Sequence, residues 1–122
     1  SRALLAPPAP PPPQGGGPHG ASRAQLPVAE HRAQILAALR HPASVIEGET
    51  GSGKTTQVAQ YVLEEAHRRR ERVSIIVTQP RRIAAIGVAE RVAAERGERC
   101  GTGVVGYAVR LESKRRADTR RL

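Results

Sequence analysis

Ten consecutive residues, Gly48-Glu49-Thr50-Gly51-Ser52-Gly53-Lys54-Thr55-Thr56-Gln57, hold the spacing G-x-x-x-x-G-K-[ST]. Their types suit one chemistry, the binding of phosphate. Gly48, Gly51 and Gly53 have no Cβ, so the backbone is free to take positive φ and aim successive N–H groups at phosphate oxygens. Lys54 adds a mobile positive charge for the β- and γ-phosphates, and Thr55 a hydroxyl for Mg²⁺. Such a loop works only between a strand and a helix, where the helix N-terminus contributes unpaired amides and the positive end of its dipole. Val45-Ile46-Glu47 before the loop reads as the end of a buried strand, and the residues from Lys54 onward read as a helix. The competing reading is a Gly-rich turn with an incidental Lys-Thr-Thr.

A second cluster is Thr78-Gln79-Pro80-Arg81-Arg82-Ile83-Ala84-Ala85. Pro80 starts a turn, which puts Arg81 and Arg82 at the N-terminal end of the next helix. Cations there oppose the helix dipole by about 0.3–1 kcal/mol each. An anion docked at that end would reverse the sign; the alternative is pairing with nearby carboxylates such as Glu47 or Glu49.

The elements that must position these groups follow from periodicity. Residues 1–26 contain Pro7, Pro8, Pro10 to Pro13 and Gly15-Gly16-Gly17, and read as a disordered or polyproline tail. The tail lacks Asp and Glu and holds Arg2, Ser22 and Arg23, a composition shared by generic linkers and organellar transit sequences. From residue 27 to 122 a single domain is expected. Val28, Ile35, Leu36 and Leu39 form the apolar stripe of one amphipathic helix, ended by His41-Pro42. Ala43 to Glu47 gives the strand that feeds the loop. Val58, Ala59, Val62, Leu63 and Ala66 mark the buried face of the helix after Lys54, and His67-Arg68-Arg69-Arg70 a solvated cationic last turn.

Val73-Ser74-Ile75-Ile76-Val77 suits a central parallel strand. A helix burying Ala85, Val88, Ala89, Val92 and Ala93 follows, then a polar connection from Glu95 to Gly103 and a third strand over Val104 to Val109. Lys114-Arg115-Arg116 with Arg120-Arg121 reads as a solvated basic loop, with a nucleic-acid patch as the alternative. The fold class is therefore α/β, a small parallel sheet flanked by helices around a phosphate-binding P-loop, behind a Pro/Gly-rich tail.

Composition narrows the class further. The chain has 122 residues, room for one core, and no Met, Phe or Trp, which fits a piece of a longer protein. A net charge of +9 favours a polyanionic partner, although an Arg-, Ala-, Gly- and Pro-rich bias also fits GC-rich coding. The lone Cys100 forms no internal disulfide and suits a reducing compartment. No apolar run approaches the roughly 18 residues of a membrane span. His19, His31, His41 and His67 do not fall at metal-ligand spacings, so no metal site is expected beyond the nucleotide's Mg²⁺.

The two clusters carry a resemblance. Gly48 to Gln57 resembles motif I of the DEAH/RHA group of superfamily 2 RNA helicases, and Thr78 to Ala85 resembles their motif Ia. Leu26 to Leu36, Val88 to Ala93 and Val105 to Glu112 are similar to flanking segments of that group, so the resemblance covers about Leu26 to Thr119. It implies a P-loop NTPase (RecA-like) fold, incomplete in this piece, with ATP bound by Gly48, Glu49, Thr50, Gly51, Ser52, Gly53, Lys54, Thr55 and Thr56, with Lys54 and Thr55 as catalytic residues and Mg²⁺ held through Thr55. It implies single-stranded RNA, contacted through its backbone without sequence preference, as the partner of Arg81 and Arg82, and Arg91 as a residue stacked on the adenine. Ala59 departs from the proline usual in T-Q-x-P-Q.

The D-E-x-H and S-A-T motifs are not in this sequence, and phosphoryl transfer needs carboxylates that hold Mg²⁺ and position water. This piece alone is therefore expected not to hydrolyse ATP, whereas the complete protein would be an intracellular helicase of nucleus, cytoplasm or an organelle. A P-loop kinase or GTPase, which would leave Gln79-Pro80-Arg81-Arg82 unexplained, and a non-catalytic nucleotide- or RNA-binding paralogue are the other readings.

Overall fold

The computed structural model describes residues 23–115. The bulk of the Pro/Gly-rich tail, together with Arg116, Arg120 and Arg121, lies outside the described residues. Among the described residues the architecture is α/β: three α-helices and a two-stranded sheet. A 3-10 turn over Pro27–His31 leads into α1 (Arg32–Ala38); α2 spans Lys54–Arg68 and α3 spans Arg82–Glu95. Strands β1 (Tyr107–Val109) and β2 (Glu112–Lys114) close the order.

The expected single N-terminal helix is thus split, because Pro27 enters at the first position of a tighter turn before α-helical spacing takes over at Arg32. Val28 and Ile35 are buried as their spacing requires, and with Tyr61 they form a core against which Leu26, Leu36, Ile46 and Val58 pack. Helix α2 starts at Lys54 as expected, but its buried residues are Gln57, Gln60, Tyr61 and Ala66. Val58, Ala59, Val62 and Leu63 are only half-buried. The helix turns its Gln57–Tyr61 side to the lead-in and to α3, and packing contacts rather than the apolar stripe set the rotation.

Both long helices end in a Schellman arrangement. At the end of α2 the Glu71 amide donates to Ala66 and the Arg70 amide to His67, with Arg70 itself left-handed at φ 56°. At the end of α3 the Glu98 amide donates to Ala93 and the Gly97 amide to Ala94. The cationic last turn of α2 is exposed, and Arg68 and Arg69 both donate to Glu65, which pulls its carboxyl down to about 2.

The sheet differs from the expected parallel one. Residues 44–49 and 71–79 run without a strand ladder, so neither Ala43–Glu47 nor Val73–Val77 is a paired strand. Val45 is 87% exposed and Ile76 62%, whereas a parallel sheet is stable when both faces are covered. Parallel pairing also needs a crossover of a dozen or more residues, while an antiparallel pair needs only a tight turn. That cheaper pairing forms: β1 and β2 are antiparallel, with Tyr107 opposite Lys114 and Val109 opposite Glu112 across Arg110-Leu111. The third expected strand is accordingly shortened to Tyr107–Val109. Tyr107 is buried, and β1 packs on α3.

The Tyr107 hydroxyl donates to Glu112 Oε1 at 2.6 Å, and this bond, with burial, pushes the phenol up to about 12 from its ordinary 10.0. The neutral phenol is the form the fold prefers. Its contribution to stability is present in full below pH 10 and is lost as pH rises through about 12. An ultraviolet absorbance titration should show one tyrosine ionising near pH 12, and Glu112→Gln should lower that value toward 10. A wild-type midpoint near 10 for both tyrosines would contradict the bond.

Candidate functional site

The Gly48–Thr56 loop is built by its own backbone. Gly51 has φ 84° and Gly53 φ 97°, and Gly53 is the N-cap of α2 with no side-chain cap. The first bond within α2 runs from the Gln57 amide to the Gly53 carbonyl, so the amides of Lys54, Thr55 and Thr56 have no intrahelical acceptor. They face the positive end of a 15-residue helix dipole. The Ser52 hydroxyl is buried without a hydrogen-bond partner, and the Lys54 ammonium reaches back to the Gly48 and Glu49 carbonyls. This is a concentration of donors with few acceptors. Its chemistry is that of a receptor for an anion bearing several oxygens.

The lead-in braces the loop from behind. The Val28 amide donates to the Ser52 carbonyl at 3.1 Å, and the pro-Cβ position of Gly53 lies 3.0 Å from Leu26 Cδ1 and 3.1 Å from Val28 Cγ1. Arg23, which its sequence neighbours assign to the tail, pairs with Glu64 at 2.7 Å and donates to Gln57.

Around the loop opens a cleft of about 400 Å³. Glu49, Thr50, Gly51, Ser52, Gly53, Lys54, Thr55 and Thr56 line it together with Arg91, which arrives from α3. Gly48 is not among the lining residues; its carbonyl accepts from the Lys54 ammonium. The structure therefore gathers the loop and Arg91 into one place. Arg81 and Arg82 do not line the cleft. They cap the other end of α3, exposed, with Arg81 as the N-cap and no acidic residue in the first turn. Arg82 pairs at 2.9 Å with Glu112, rather than with the Glu47 or Glu49 of the alternative reading.

Sequence reasoning missed three residues. Leu26 and Glu95 line the cleft, and Gln57 sits directly behind it. Glu95 is the last residue of α3, buried, and not part of the polar connection to which its neighbours point. Its i,i+4 spacing from Arg91 is the one sequence signal that marks it.

No family model matches the chain. Curated proteins do. The chain is 53% identical over 98 residues to "Probable ATP-dependent RNA helicase spindle-E" of Drosophila mojavensis, covering 80% of this chain and 7% of that protein. It is 52% identical over 103 residues to "DExH-box ATP-dependent RNA helicase DExH3" of Arabidopsis thaliana, 82% of this chain and 8% of that protein. By sequence, this stretch is similar to a segment of ATP-dependent RNA helicases. "Putative ATP-dependent RNA helicase DHX57" of Homo sapiens is similar to the same extent, 53% over 103 residues. The chain thus spans less than a tenth of the length of these relatives.

Proposed function

We propose that this chain is the triphosphate cradle, and part of the nucleic-acid track, of an ATP-dependent RNA helicase with a P-loop, RecA-like first domain. The observation that carries the reading is the donor-rich loop Gly48–Thr56 at the N-terminus of α2, with its free amides, its orphaned Ser52 hydroxyl and the Lys54 ammonium in one cleft with Arg91. The names of the similar proteins supply ATP as the anion and RNA as the polymer.

In this reading the free amides of Lys54, Thr55 and Thr56 and the Lys54 ammonium bind the β- and γ-phosphates, and Glu49 and Thr50 line the walls. The Thr55 hydroxyl, exposed at the loop rim, is the group that would hold Mg²⁺. Bound there, Mg²⁺ would supply neutralisation of the phosphate charge during transfer. Arg91 faces the adenine. Arg81 and Arg82 meet the RNA backbone, where phosphate supplies the anion that the start of α3 lacks. In the complete protein these two ligands are coupled, so that ATP turnover drives RNA unwinding.

Saturable ATP binding by the full-length protein, strengthened by Mg²⁺, tests the cradle; its absence would overturn the reading. For the track, Arg81→Ala with Arg82→Ala should weaken single-stranded RNA binding and flatten its log–log salt slope by about 1.4, at about 0.7 for each phosphate no longer neutralised. Arg81→Ala should account for the larger share, because Arg82 is partly satisfied by Glu112. An unchanged slope would remove both residues from the RNA interface.

A further inference from the structure

Gln57 and Glu95 are polar residues placed where apolar ones are the rule: Gln57 is 0% exposed and Glu95 5%. They touch. Gln57 Nε2 donates to Glu95 Oε1 at 2.8 Å, and Gln57 Oε1 accepts from Arg23 Nε at 2.7 Å, so the orientation of the amide is set from both sides. The second Glu95 oxygen lies 3.7 Å from Arg91 Nε. A chain of polar contacts therefore runs from the lead-in through α2 to α3 and ends at the guanidinium on the cleft wall.

Fold stability does not account for Glu95. A carboxylate taken out of water carries a desolvation penalty that a neutral amide and one loosely placed cation repay poorly. It also occupies the last residue of α3, the negative end of the helix dipole, where cations are favoured. The order is unfavourable as well, since arginine precedes glutamate at i,i+4, the weaker orientation of such a pair. What the arrangement does achieve is restraint of Arg91. That side chain is 49% exposed, long and rich in rotamers, and a fixed carboxylate one turn away narrows the directions its guanidinium can take.

We propose that Glu95 is a positioning residue of the nucleotide cleft: its buried carboxylate, oriented by the Gln57 amide, holds the Arg91 guanidinium in the pose that receives the base of the nucleotide. The inference rests on the proposed function, in which Arg91 faces the base. Glu95 acts through Arg91, and its effect falls on the base end of the ligand rather than on the phosphates. Glu95→Gln isolates this role, because the replacement keeps the volume and an oxygen to accept from Gln57 Nε2 while removing the charge that holds Arg91.

The test measures equilibrium binding of ATP and of inorganic tripolyphosphate to full-length protein in four forms: wild type, Arg91→Ala, Glu95→Gln and the double variant. Arg91→Ala should weaken ATP about tenfold, the scale of a lost bond to a charged group. Glu95→Gln should weaken it to a similar degree, and the double variant no further than Arg91→Ala alone. Tripolyphosphate affinity should stay within about twofold throughout, which also reports an intact loop. Three results would overturn the inference. If Glu95→Gln binds ATP like wild type while Arg91→Ala does not, or adds its full effect on top of Arg91→Ala, Glu95 does not act through Arg91. If Glu95→Gln weakens tripolyphosphate as much as ATP, its role is in the fold. If Arg91→Ala itself leaves ATP unchanged, the base-facing reading fails first and the inference with it.

Discussion

Lys54→Ala should reduce the affinity of the full-length protein for ATP by about 10- to 100-fold, corresponding to about 1.5–3 kcal/mol for a lost charged hydrogen bond. The size follows from where the ammonium stands. Lys54 is the first residue of α2, and its Nζ donates to the Gly48 and Glu49 carbonyls, on the loop that the free amides of α2 also border. A triphosphate oxygen is a stronger acceptor for it than either carbonyl, so the amine exchanges partners on binding. The same substitution should cost the fold little, about 1 kcal/mol or less, since both present partners are solvent-accessible carbonyls. Isothermal titration of ATP, beside a thermal unfolding scan, separates the two effects. Equal ATP affinity in both proteins would contradict the cradle.

Gly53→Ala should be the most damaging small substitution in the loop. A φ of 97° lies beyond the left-handed region that L-residues tolerate, at about 1–3 kcal/mol. The added Cβ would also meet Leu26 Cδ1 at 3.0 Å and Val28 Cγ1 at 3.1 Å, overpacking of about 1–3 kcal/mol. Gly51→Ala is the comparison that divides the causes. Its φ of 84° is strained too, but nothing lies within 4 Å of its Cβ position. Gly53→Ala should therefore release the lead-in and Gly51→Ala should not. Hydrogen exchange at the Val28 amide, bonded to Ser52, reads this directly: it should accelerate in the first variant and remain protected in the second. Equal protection in both would mean that the lead-in does not brace the loop.

The parts of this molecule that are legible in the sequence are those encoded within a few residues of one another. The loop, the start of α2 at Lys54 and the turn that puts Arg81 at the head of α3 depend on glycine, proline and helix-end chemistry over short spans, and they stand where the sequence places them. The strands are misread for the opposite reason. A β-branched run such as Val73–Val77 states that a segment can be extended, but a parallel ladder requires partners and two covered faces, which this run does not find among the described residues. The buried face of α2 is misread because glutamines such as Gln57 and Gln60 ordinarily face water. Gln57 is instead buried by bonds to Arg23 and Glu95, residues 34 and 38 positions away, and no local pattern reports such partners.

The most direct test of the central claim is ATP hydrolysis by the full-length protein, with and without single-stranded RNA, wild type beside Lys54→Ala. Hydrolysis that RNA stimulates and that Lys54→Ala abolishes is the predicted result. Tight ATP binding with no turnover under either condition would contradict it, leaving a nucleotide-binding module without helicase chemistry.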